Sequence, residues 1–203
     1  MFVCLLLQAH AIIEKACMVL GTRHRELATY KKHNWALQAE ALRAAIKEDL
    51  AAGLTPVACV ATCGTTSSCA FDPIPEIASV CKEHNLWLHI DAAYGGAYAC
   101  LDALSDKFAG LEDVDSFCVN CHKKLLCPFD LAALYVADRR PILHALSLQP
   151  EYLRNPASAS GAVIDFEHWQ MPLGRRFRAL KLWFVMRRFG KKKIRQHLSD
   201  GCR

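Results

Sequence analysis

The chain lacks any run of about 18 apolar residues, which excludes an ordinary membrane-spanning helix. Its first eleven residues, MFVCLLLQAHA, carry an A-x-A at Ala9-His10-Ala11 but no basic stretch ahead of a short apolar one, so a secretory signal is not expected. No internal repeat and no low-complexity segment is present, which sets aside solenoids and linkers. Paired C-x-x-C spacing is also missing, so a four-ligand zinc site has little to stand on. Acids are scarce in one place: residues 175–203 hold 11 of the 25 Lys and Arg and one acid, Asp200.

What is present is a strongly apolar chain, 53% hydrophobic over 203 residues, enough for a substantial core. Eleven cysteines, an odd number, sit mostly in apolar runs such as those of Cys59, Cys63, Cys100 and Cys118. Free, partly buried thiols in a reducing compartment fit this best, and a cytoplasmic location is expected. The net charge of +5 is lopsided toward the carboxyl end. A basic tail can bind nucleic acid or an anionic membrane. Trp183, Phe184 and Val185 interleave these charges as in a packed helix, so a cationic helix face is preferred, with neither nucleic acid nor membrane as partner.

Apolar runs alternate with helical patterns. Strands are expected at 2–7, 25–30, 56–63, 86–90, 114–119 and 131–137. Helices are expected at 9–20, 37–51, 75–83, 101–108 and 175–189, with another from Pro141. Gly21 and Gly53 mark helix ends, and Pro75 opens a helix. Residues 147–161 are polar and rich in Pro, Ser and Ala, as in a mobile loop. The alternation predicts an α/β domain with a mostly parallel sheet flanked by helices. Ligands in such sheets bind beyond the carboxyl ends of the strands. Gly64-Thr65-Thr66, Asp91 and the run Asn120-Cys121-His122-Lys123 each follow an expected strand, so the candidate chemistry falls on one edge of one sheet.

Lys123 and Asp91 suit one cofactor. A lysine that can become a neutral amine forms a Schiff base with an aldehyde. A strand-end acid can hold a protonated pyridine nitrogen. Pyridoxal phosphate needs both, because the protonated ring acts as an electron sink. Either residue alone has an ordinary reading: Asp91 as a strand-end cap, Lys123 as a surface lysine, Thr65 and Thr66 as turn residues, His10 as a core histidine on an amphipathic helix, Tyr152 as a loop aromatic. Cys118-Val119-Asn120-Cys121-His122 also matches the C-x-x-C-H haem pattern, but Cys118 falls on an expected buried strand and the α/β pattern is wrong for a small haem protein.

The order GTT…FDPI, WLHIDAAYGG, DSFCVNCHKKLL and DFEHWQMPLGRRFRALKLWFVMRRFG resembles the group II pyridoxal-phosphate decarboxylases, in particular the aromatic-L-amino-acid decarboxylase branch, from about Gln8 to about Gly190. The resemblance implies the aspartate aminotransferase-like fold with pyridoxal 5'-phosphate as cofactor. It also implies a homodimer acting on an aromatic L-amino acid of the Tyr, Trp or Dopa type. Lys123 matches the lysine of the internal aldimine and Asp91 the carboxylate at the pyridine nitrogen. His10 matches the histidine stacked on the ring, with Ala93 against the other face. Thr66 matches a threonine beside cofactor and substrate, and Asn120 a phosphate contact. His122 matches the histidine near the substrate carboxylate, where similar histidine decarboxylases carry Ser. Tyr152 matches the loop tyrosine that protonates the carbanion; a Phe there goes with aldehyde synthesis instead.

Three departures stand out. The family's Asn-(Pro or Ala)-His-Lys-Trp has Cys121 and Lys124 here, and a small polar run before Gln8-Ala9-His10 is Leu5-Leu6-Leu7. Lys124 puts a second cation beside Lys123; it could lower that lysine's pKa or point to solvent. Against the family pattern, residues 1–180 are expected to be an incomplete cofactor-binding large domain and 181–203 the start of a small domain. A catalytically incompetent fragment or relic, binding the cofactor weakly or serving as a partner, is the alternative expectation.

Overall fold

The computed structural model describes residues 2–6, 9–147 and 166–202. Six strands form one sheet: β1 (Phe2–Leu6), β2 (Arg23–Glu26), β3 (Thr55–Thr62), β4 (Trp87–Asp91), β5 (Ser116–Asn120) and β6 (Ala132–Val136), in the spatial order β2-β1-β3-β4-β5-β6. The first five run parallel and β6 is antiparallel to β5. Central parallel strands are covered on both faces, and their sequences are near-continuously apolar for that reason. Cys59, Ala61, Leu88 and Ile90 are all but inaccessible. Helices α1 (Ile12–Leu20), α2 (Ala39–Ala51) and α3 (Ile74–Glu83) fill the crossovers. Leu42, Ala45 and Ile46 of α2 and Ile77, Val80 and Cys81 of α3 join the strands in one core.

Local signals explain the boundaries. Gly21 ends α1 in the left-handed region (φ 64°), where a side chain would be strained. Pro75 sits in the first turn of α3, where no helical partner for its missing N–H is needed. Several expected boundaries move. β2 covers Arg23–Glu26 rather than 25–30, because its register against β1 is set from Val3↔Arg23 to Leu6↔Glu26. This polar edge strand is held by Arg25, which pairs with Asp49 of α2 at 2.6 Å and with Glu48. The expected helix at 101–108 is a 3₁₀ segment, Asp102–Phe108. After β5 come the four-residue α4 (Cys121–Lys124) and α5 (Arg140–Leu146).

The carboxyl-terminal helix differs most. α6 spans Ala179–Asp200 instead of 175–189, and its two arms meet at Gly190, whose backbone (φ 69°, ψ 167°) is not helical. The second arm returns to the domain and buries Ile194 and Leu198 in the core. Among the described residues no helix is long and apolar enough to cross a membrane.

Candidate cofactor site

The turn after β1 and the carboxyl ends of β3, β4 and β5 enclose a cleft of about 520 Å³, within the usual range for small-molecule sites. His10, Thr66, Asp91, Ala93, Asn120, His122 and Lys123 all line it. Tyr152 lies outside the described residues. The cause is topological: adjacent parallel strands end on the same edge, so residues far apart in sequence converge there.

Backbone hydrogen bonds join the strand ends. Cys63 N–H donates to the Asp91 carbonyl (2.9 Å), Ala92 N–H to that of Cys118 (3.2 Å) and Asn120 N–H to that of Ala93 (3.1 Å). Gly95 N–H donates to the Cys63 carbonyl (3.2 Å). A Cβ on Gly95 would stand 2.3 Å from that oxygen, so only glycine permits the approach.

Asp91 is 8% exposed. Its Oδ1 accepts from Ala93 N–H (3.0 Å) and from the Cys118 thiol (3.6 Å). Its Oδ2 accepts no hydrogen bond among the described residues. Thr62 lines the same cleft, and its hydroxyl is buried with no partner among those residues. A spare carboxylate oxygen and an unsatisfied buried hydroxyl are what a polar ring with a charged N–H would complete, since such groups cost free energy when left unpaired. The donor set therefore fits pyridoxal phosphate.

Lys123 stands on the one-turn α4 and is exposed. Cys118, on the neighbouring strand, has its thiol pKa pushed up to about 11 by burial, with Asp91 adding to the shift and Lys123 opposing it. His122 Nδ1 lies 2.9 Å from both the N–H and the carbonyl of Leu131, which pins the ring in either tautomer. Phe129 packs edge-on against it at 4.8 Å. His10 is not within α1 as its sequence suggests. It precedes the helix, exposed, and its Nδ1 accepts from Ile12 N–H at 3.2 Å.

The sequence offers His89 only as a zinc-ligand type, with no place in the cofactor site. His89 lines the cleft two residues before Asp91, on the same face of β4. Trp87 Nε1 donates to Ser116 Oγ (2.8 Å), and that hydroxyl lies 2.8 Å from His89 Nδ1. Indole only donates, so the Ser116 hydroxyl is free to give its hydrogen to His89 Nδ1, the bond that goes with an imidazole protonated at Nε2. Burial lowers the His89 pKa, with Asp91 pulling the other way. The period-two spacing Trp87, His89, Asp91 was the available signal. Lys124 does not extend into open solvent; it is half-buried against Tyr94. Among the described residues no group of three or more His, Cys, Asp or Glu could hold a metal ion.

A mostly parallel α/β sheet with an amine and a carboxylate at adjacent strand ends is an arrangement that a pyridoxal-phosphate-dependent fold requires. A family profile described as the pyridoxal-dependent decarboxylase conserved domain matches residues 5–203, and the chain belongs to that family. It is 43% identical over 191 residues to the aromatic-L-amino-acid decarboxylase of Cavia porcellus, covering 94% of this chain and 39% of that protein. It is also 43% identical to tyrosine decarboxylase 2 of Narcissus pseudonarcissus, covering 95% of this chain and 39% of that one. The crystal structure of Oryza sativa TDC with PLP and tryptamine superposes with a TM-score of 0.92 at 39% identity, covering 96% of this chain and 40% of that one. The chain thus spans about 40% of the length of the relatives it matches.

Proposed function

We propose that this chain carries the cofactor floor of a pyridoxal-phosphate-dependent carboxy-lyase that converts an aromatic L-amino acid of the Tyr, Trp or Dopa type to its amine. The observation that carries the reading is the Lys123 amine and the unshared Oδ2 of Asp91 in one cleft. Bound there, pyridoxal phosphate supplies an aldehyde for the amine and a ring that accepts electrons.

The chain's own groups then have distinct tasks. Lys123 holds the aldehyde carbon. Asp91 holds a proton at the pyridine nitrogen, since a nearby anion favours the charged form. His10, Ala93 and Thr66 bind the ring, and Asn120 binds phosphate. His122, pinned by Leu131, binds the substrate carboxylate. Tyr152 would give its hydroxyl proton to the substrate carbon that loses carbon dioxide, as general acid catalysis requires. A tyrosine at that position supports decarboxylation over aldehyde formation. A homodimer in the cytoplasm belongs to the same proposal.

The alternative reading is a chain that binds the cofactor without turnover. Titration of the purified chain with pyridoxal phosphate separates these. A visible absorbance band that depends on Lys123 is expected, together with carbon dioxide release from aromatic amino acids. The same band in Lys123→Ala sinks both readings. A Lys123-dependent band without carbon dioxide release supports the second.

A further inference from the structure

Two lysines stand side by side on α4, and their surroundings differ. Lys123 is exposed, lines the cleft and makes no hydrogen bond among the described residues. Lys124 is half-buried, with its ammonium 4.6 Å from the centre of the Tyr94 ring. At that separation the negative face of an aromatic ring attracts a cation. The ring of Tyr98 lies 6.3 Å from that of Tyr94, tilted by 51°. Hydrogen bonding to the Tyr94 hydroxyl is the main cause that raises the Lys124 pKa; burial opposes it and the Tyr98 hydroxyl adds to it.

The tyrosines form a rigid seat. Tyr98 is buried in the main core. It belongs to the 3₁₀ segment Gly95–Cys100, which Gly95 anchors to the Cys63 carbonyl. The Tyr98 hydroxyl also adjoins the end of α6: a Cβ on Gly201 would stand 3.8 Å from it. Successive residues of an α-helix point about 100° apart, so a rotation of the single turn by about that angle would exchange one amine for the other.

We propose that Lys124 is a held lysine: Tyr94, with Tyr98 packed behind its ring, occupies the ammonium, fixes the α4 turn against the Gly95–Cys100 segment, and leaves Lys123 as the amine of the pair that meets an aldehyde. The inference rests on the reading of Lys123 as the cofactor lysine. Lys124 is a positioning residue in this account. An ammonium held protonated is no nucleophile, because only the neutral amine attacks a carbonyl.

The test is trace labelling of the whole chain with acetic anhydride at pH 8, with peptide mass spectrometry reading Lys123 and Lys124 separately. Lys124 is expected to label several-fold more slowly than Lys123. In Tyr94→Leu, which removes the ring that faces the Lys124 ammonium, Lys124 labelling rises toward that of Lys123. Equal labelling in the parent chain overturns the proposal and needs no variant to fold. An unchanged ratio in a folded Tyr94→Leu variant overturns it too. A second arm uses pyridoxal phosphate followed by borohydride. A tag on Lys123 alone supports the proposal, and a tag on Lys124 overturns it. A tag on neither lysine overturns the cofactor reading, while the anhydride ratio still judges Lys124.

Discussion

In the middle of β4 the apolar side chains are sealed, with Ile90 at 0% and Leu88 at 1% exposure, whereas on α1 Val19 is 86% exposed and Met18 72%. The first arm of α6 resembles α1, since Trp183 and Phe184 are both more than half exposed. The difference separates what fixes the site from what surrounds it. Asp91 ends β4, which pairs with β3 on one side and β5 on the other, so its position is over-determined. α1 buries only Cys17; it contributes Ile12 and Ile13 to the rim of the cleft, beside His10 just ahead of it. The cleft floor therefore owes its geometry to β3, β4 and β5, and the outer helices can change with little consequence for it.

The sharpest way to break this contrast is a pair of truncations. Ile90→Ala removes a sealed side chain between β3 and β5 and leaves a cavity, which typically costs about 2–5 kcal/mol. Val19→Ala removes more exposed atoms and is expected to stay within about 0.5 kcal/mol. Urea denaturation of both variants reads the difference as a shift in midpoint. Similar midpoints for the two would show that the floor is no better determined than the edge.

A smaller effect tests the polar side of the floor. Trp87→Phe keeps a ring and deletes one donor to Ser116, a loss of about 1 kcal/mol. It also releases the Ser116 hydroxyl from its set orientation. Nitrogen-15 NMR of the His89 ring is expected to show Nε2 protonated in the parent chain and a mixture of tautomers in the variant. One unchanged tautomer in both would mean that Trp87 does not orient the relay.

Much of this floor is legible in the sequence, and the reason is periodicity. The apolar runs around Cys59 and Leu88 read as strands, and the residues that follow them read as a shared edge. The structure places seven of the eight residues named from sequence in one cleft. The family resemblance supplied their roles, which spacing could not. What stayed hidden depended on contacts across the chain. His89 meets Ser116 only because β4 and β5 pair in that register. Gly190 reads as a helix end, and the lysines after it mask Ile194 and Leu198, four residues apart on the one face that packs. His10 reads as helical, but its side chain takes the first N–H of α1 instead. The two sequence readings of Lys124 could not anticipate Tyr94, because the seat is built from a different strand-end turn.

The last effect is absent at neutral pH. Cys118 faces the cleft and gives its S–H to Asp91 at 3.6 Å. Burial first, and then Asp91, push its pKa from 9.0 to about 11. The folded value lies above the unfolded one, so the folded state binds this proton more tightly. The stability it contributes is therefore complete below about pH 9 and is lost as the pH rises through about 11. The same shift governs reactivity, because the thiolate is the nucleophile. Cys69 and Cys202, which are exposed, are expected to alkylate with iodoacetamide at pH 8 while Cys118 stays intact until the pH approaches 11. Cys118→Ser should then reduce the alkaline loss of stability by this share without moving the neutral-pH denaturation midpoint appreciably. Alkylation of Cys118 at pH 8 as fast as that of Cys69 would place its thiol outside the sealed floor, and Asp91 would lose one of the two donors that hold its Oδ1.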